Sequence, residues 1–115
     1  MSRVKRGVTK LKRRRNILSQ VKGYRFGRST KERVAKEAIA HAGNSAFRDR
    51  RTKKREFRHL WTLRINAASR TAGFSYSKLI GELKKRKIGL DRKSLSALAK
   101  EHPATFERLT QQLKG

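Results

Sequence analysis

The sequence contains no cysteine, a single proline at Pro103, a single tryptophan at Trp61, and no acidic residue before Glu32. Each absence closes off a class of protein. Without thiols there are no disulfides, no thiolate metal sites and no cysteine nucleophiles, and a small secreted domain ordinarily needs such staples. No apolar run is long enough to span a bilayer, and the basic opening of residues 1–7 leads into no hydrophobic segment of the kind that directs secretion. A soluble, intracellular protein is expected. By composition alone, the acid-free stretch ahead of Glu32 also suits an organellar transit peptide. Hydrophobic residues make up 35% of the 115-residue chain, enough for one small core and too little for a large enzyme.

What the sequence holds in quantity is positive charge. Lysines and arginines number 33 against 8 aspartates and glutamates, giving a net +25 with histidines neutral. Self-repulsion on this scale opposes a compact monomer. The partner that relieves it best is a polyanion with closely spaced phosphates, because each neutralised phosphate releases a condensed counterion. Nucleic acid is therefore the leading partner; a membrane or a small-molecule substrate is not expected. Residues 1–60 carry +17 and residues 61–115 carry +8. Large apolar residues run the other way, with 11 in residues 1–56 and 17 in residues 57–115. The division predicts a basic extension over 1–56 and a globular helical domain over 57–115, with the core in the latter.

No strand-like alternation of β-branched residues is visible, so the chain reads as all-α, a long basic N-terminal helical extension followed by a small C-terminal helical bundle. A first helix is predicted over residues 9–21, broken by Gly23 to Gly27. Ser29 or Thr30 is the expected cap of a second helix that continues to about Thr71 despite the helix-weakening Gly43. Forty residues of helix would reach about 60 Å. Its middle, RDRRTKKRE at residues 48–56, has no large apolar side chain and cannot enter a protein core. It is either solvated, with weak pairs such as Asp49 and Lys53, or held among phosphates. From Phe57 the pattern turns amphipathic. Phe57, Leu60, Trp61, Ile65 and Ala68 share a face, which predicts that this end, Trp61 included, enters the core. Gly73 then stops the helix. Ser75 caps a third helix with Tyr76, Leu79, Ile80 and Leu83 inward, and Lys84, Lys85, Arg86 and Lys87 close it in favour of its dipole. Asp91 caps a fourth with Leu95, Leu98 and Ala99 inward. Pro103 opens a fifth with Phe106, Leu109 and Leu113 inward. Three short helices against the end of a long one make a small bundle.

Catalytic chemistry finds little purchase. His41, His59 and His102 have no metal-ligand spacing, and no metal or cofactor is expected. The stretch Gly73-Phe74-Ser75-Tyr76-Ser77 only superficially resembles a nucleophile elbow, and Ser75 is better explained as a cap. The carboxylates lie among lysines and arginines, which lower their pKa and make them poor general acids near neutral pH. Binding fits better. Gly23-Tyr24-Arg25-Phe26-Gly27-Arg28 interleaves arginine with aromatics between permissive glycines, which suits close approach to phosphates and stacking on unpaired bases. The same spacing suits a plain turn whose aromatics staple two helices, and the residues leave both open.

Residues 54–70, KREFRHLWTLRINAASR, are similar to the signature of the family of the twentieth protein of the bacterial large ribosomal subunit. The opening RVKRG at 3–7, the turn GYRFGRS at 23–29, AFRDRR at 46–51, SYSK at 75–78 and DRK at 91–93 carry the resemblance through the chain. Thr62 stands where that family usually has Ile or Val, and Ser45 where an aromatic is common. The resemblance implies a non-enzymatic protein that binds 23S rRNA directly, promotes early large-subunit assembly and takes no part in peptidyl transfer. It further implies a cytoplasmic ribosome, with an organellar one left open although a resemblance from residue 3 onward takes most of the weight from the transit-peptide reading, and neighbouring large-subunit ribosomal proteins as partners. In the family the basic extension threads between rRNA helices, and in some bacteria the C-terminal domain also binds its own mRNA to repress translation.

On this reading the expected rRNA contacts begin with Arg3, Lys5 and Arg6, then Lys12, Arg13, Arg14 and Arg15 on the first helix. Lys22, Tyr24, Arg25, Phe26 and Arg28 follow in the turn. Arg48, Arg50, Arg51, Lys53, Lys54, Arg55 and Arg58 lie on the middle of the long helix, and Arg64, Arg70, Arg92 and Lys93 lie nearer the bundle. Arg92 and Lys93 are the expected site-specific contacts, because they sit in the first turn of a helix beside backbone donors suited to an anion. A DNA-compacting protein is the alternative that charge alone would permit. A membrane-active helix is not, for want of an apolar face opposite the charges.

Overall fold

A computed structural model describes residues 2–115. Five α-helices and one short 3-10 turn make up the described residues, with no strand among them. The chain divides into two compact units, Met1–Arg50 and Arg51–Gly115, and the boundary falls inside the longest helix.

The first unit holds α1, Gly7–Gln20, a single 3-10 turn at Phe26–Arg28, and the first part of α2, Glu32–Thr71. Helix α1 begins two residues earlier than its apolar spacing predicts and ends one residue sooner, with Arg6 at the N-cap position making no side-chain cap bond. Gly23, at φ 87°, supplies the left-handed step that turns the chain out of α1, with the Tyr24 amide donating to the Val21 carbonyl at 3.1 Å. Neither Ser29 nor Thr30 caps α2, which starts only at Glu32; the Ser29 hydroxyl instead donates to the Phe26 carbonyl at 3.3 Å. The Lys31 amide donates to the Gly27 carbonyl at 2.9 Å, and Arg14 Nη2 reaches the Thr30 carbonyl at 2.9 Å. Val21 and Ala35 are fully buried, while Ile17, Leu18, Val34, Ala38 and Ile39 are half-buried. The apolar content of this part, too sparse by composition to promise a core, is thus enough for a small nucleus where the chain doubles back.

In the second unit the core consists of Ile65 from α2, Leu79 and Leu83 from α3 (Tyr76–Lys85), Leu95 from α4 (Arg92–Glu101), and Phe106 and Leu113 from α5 (Pro103–Lys114). Ala68, Phe74, Ile80, Leu98 and Leu109 pack around it. Local chemistry places the helix ends. Gly73, at φ 83°, closes α2, and the Ser75 hydroxyl accepts the Lys78 amide at the start of α3. The Asp91 carboxylate accepts the Ser94 amide at 2.9 Å, and Pro103 occupies the first turn of α5. The basic end of α3 is put to a use that spacing did not predict: Arg86 donates to the Gln112 carbonyl and, at 3.1 Å, to the Leu113 carbonyl, tying down the exposed end of α5.

The expected entry of Trp61 into this core does not occur. Trp61 is half-buried and outside the cluster, with its ring tilted against Phe57 at a centroid separation of 6.3 Å, and Phe57 and Leu60 are exposed. The helical face predicted from residues 57 to 68 is real, but its buried part begins only at Ile65. Thr62, the departure from the family pattern, returns its hydroxyl to the Arg58 carbonyl one turn back at 3.0 Å.

Candidate nucleic-acid interface

All twenty-three residues expected to meet rRNA are exposed, including the aromatic pair Tyr24 and Phe26. None is consumed by a core. The long helix presents the densest group. From residue 40 to residue 60 every residue of α2 is exposed except the half-buried Thr52, and residues 48–58 contain seven basic and two acidic residues. Asp49 pairs with the adjacent Arg48 at 3.0 Å, and such an exposed pair stabilises little.

In the first unit Val4, Lys5, Arg6, Thr9, Lys10, Arg13 and Glu32 line a shallow depression. Lys10 belongs to this basic group although it is not among the residues expected from the sequence; its spacing from Arg6 and Arg13 on one helical face was the available signal. Glu32 is held below the usual carboxylate range, first by its hydrogen bond with Lys36 at 2.8 Å and further by the charges of Lys36, Arg14 and Arg13. The turn between α1 and α2 keeps one of the two readings open for its aromatics and closes the other for Phe26. That ring is 92% exposed and staples nothing, whereas Tyr24 is 38% exposed.

The N-terminus of α4 differs from the expected anion cradle. Asp91 already accepts the Ser94 amide, and its own pKa is lowered by hydrogen bonds from the Ser94 side chain and amide, so a negative group sits at the helix end. Arg92 Nε donates to the Tyr76 hydroxyl at 2.9 Å, which leaves its outer guanidinium nitrogens and Lys93 to meet a phosphate as side-chain cations. No group of three or more metal-ligating residues occurs among the described residues, and no helix there is long and apolar enough to cross a membrane. His41 lies on the surface, 3.7 Å from Glu37.

These features define a basic, all-helical protein whose lysines and arginines face outward. Residues 3–109 match the family described as Ribosomal protein L20. Relatives named large ribosomal subunit protein bL20 include one from Chloroflexus aurantiacus, 51% identical over 100% of this chain and 97% of its own length. Another from Leptothrix cholodnii is 51% identical over 100% of this chain and 98% of its own, and one from Legionella pneumophila is 53% identical over 100% and 97%. The chain belongs to the ribosomal protein L20 family, and it is a structural protein of translation rather than an enzyme.

Proposed function

We infer that the protein is built into the large ribosomal subunit, where it binds 23S rRNA directly and promotes early assembly without a part in peptidyl transfer. The observation that carries this reading is the central stretch of α2, exposed from residue 40 to residue 60 save Thr52 and dense in arginine and lysine. Residues 48–56 within it have no large apolar side chain and gain nothing from a protein core, and their positive charge is neutralised best by phosphates approaching from several sides. On this reading residues 1–56 supply counterion release and pin rRNA segments together. Residues 57–115 form a separate bundle that adds Arg58, Arg64, Arg70, Arg92 and Lys93 as further contacts and is the part suited to the protein's own mRNA. Neighbouring large-subunit proteins complete its surroundings, in a cytoplasmic ribosome or its organellar counterpart.

The test is affinity for in vitro transcribed 23S rRNA against duplex DNA of equal length at matched salt. A preference for the rRNA that persists as salt rises supports the reading. Equal affinity, falling in parallel, favours an unspecific DNA-compacting protein. Replacing Arg50, Arg51, Lys53 and Lys54 together with glutamine should reduce the salt slope by about 0.7–0.9 for each phosphate that is no longer neutralised.

A further inference from the structure

Phe26 is mounted in a way that its own fold does not repay. It sits at φ 58°, in the left-handed region that bulky side chains avoid, and its ring is 92% exposed. A phenylalanine there adds backbone strain and no packing. Glycine would satisfy the same backbone without strain, as Gly23 does at φ 87° three residues earlier. The conformation is nonetheless well fixed. The Phe26 carbonyl accepts the Ser29 hydroxyl, the Gly27 carbonyl accepts the amides of Thr30 and Lys31 at 3.4 and 2.9 Å, and Arg14 holds the Thr30 carbonyl. A rigid turn thus holds an aromatic face in solvent, ordered before any ligand arrives.

We propose that Phe26 is a stacking platform for one unpaired base of rRNA, with Arg25 and Arg28 taking the phosphates on either side. This deepens the rRNA-binding reading and rests on it. The surroundings choose the ligand class. Lys22, Arg25 and Arg28, all exposed, lie within four residues of Phe26 along the chain, whereas an aromatic that anchors in a protein pocket is ordinarily ringed by apolar neighbours and depleted of charge. An unpaired base supplies a π-face for the ring, and its flanking phosphates answer the arginines.

The experiment uses the full chain with 23S rRNA and, as a base-free control, inorganic polyphosphate at the same salt. Phe26→Leu should weaken rRNA binding about tenfold, within the range expected for one stacked base, and leave polyphosphate binding and the salt slope unchanged. Phe26→Trp should restore affinity. In a Trp61→Phe background the introduced indole should be quenched by rRNA and not by polyphosphate. Phe26→Gly separates function from folding: the thermal midpoint of the free protein should stay level or rise while rRNA affinity falls. Selective rRNA binding by wild type with an unaffected Phe26→Leu variant and no quenching would overturn the stacking role while leaving the rRNA reading intact. So would a Phe26→Leu protein that binds rRNA normally but is missing from assembled subunits, since its ring would then occupy a protein pocket. Wild-type binding to rRNA no tighter than to polyphosphate would remove both.

Discussion

Arg92 Nε and the Tyr76 hydroxyl meet at 2.9 Å, joining the first turn of α4 to the first turn of α3. The same guanidinium is an expected rRNA contact, so Arg92 is placed to serve both the bundle and its surface, while its exposed neighbour Lys93 adds to the bundle only its charge near Asp91. Arg92→Ala should therefore lower both rRNA affinity and stability, the latter by about 1 kcal/mol, the scale of one hydrogen bond. Lys93→Ala should lower affinity with a much smaller loss of stability, since only a charge near Asp91 is removed. Urea unfolding of the two variants beside rRNA titrations checks the split, and equal stability losses would refute it.

The acid sensitivity of the bundle follows from Asp91. Its pKa is depressed in the folded protein by hydrogen bonds from Ser94 and by the charge of Lys93, so the folded state binds this proton less readily than the unfolded chain. The resulting stabilisation is present above the unfolded value near pH 3.8 and is lost as pH falls through the lower folded value. Glu82, depressed first by its hydrogen bond with Lys85, acts in the same direction. Asp91→Asn keeps a capping side chain but cannot titrate. Thermal melts from pH 7 down to pH 2 should show a shallower acid decline for this variant than for wild type.

Burial separates Ile65 from Trp61 by a single helical turn. Ile65→Ala should cost about 2–5 kcal/mol and Phe106→Ala about 3–5 kcal/mol, because both side chains lie in the closed cluster. Trp61→Ala should fall well below the roughly 3–5 kcal/mol of a buried tryptophan, since Trp61 is only half-buried and lies outside that cluster. Denaturant midpoints of the three variants rank them directly.

Every member of the C-terminal cluster lies between Ile65 and Leu113. A fragment of residues 57–115 should consequently fold alone, with cooperative thermal unfolding. It should keep selectivity for 23S rRNA over unrelated RNA while its salt dependence flattens by several units of slope. An unchanged slope, or complete loss of selectivity, would show that the two parts do not divide the work as proposed.

Free in solution, the stretch of α2 from residue 48 to residue 56 buries no large apolar side chain. Amide exchange across residues 48–56 should be fast compared with that of Ile65 to Ser69, and addition of 23S rRNA should slow it. Strong protection without RNA would argue against rRNA as the stabilising environment.

Much of this molecule is written in local chemistry. Ser75, Asp91 and Pro103 mark helix starts because a capping oxygen or a missing amide acts within one turn, and the structure uses all three as the sequence indicates. The inward stripes of α3, α4 and α5 were legible for a related reason: a short helix with one apolar face has one way to bury it. Charge read in the same manner, since a helix surface crowded with arginine and lysine remains exposed wherever its ends are placed.

Other features depended on which segments meet. The apolar face starting at Phe57 is continuous in sequence, but periodicity does not say how far along α2 the other helices reach, and they cover it only from Ile65. Val21 and Ala35 lie in a part too poor in apolar residues to promise a core, yet both are fully buried. Arg86 looked like compensation for its own helix until the end of α5 came within reach of its guanidinium. Phe26 is the sharpest case. Its aromatic character among arginines was visible in the sequence, yet only the left-handed backbone and the resulting exposure separate a presented ring from a helix staple. Composition, caps and periodicity are set by each residue and its near neighbours, so the sequence alone determined the all-helical class and the cationic surface. Burial and presentation depend on contacts between segments distant along the chain, and only the tertiary structure decided them.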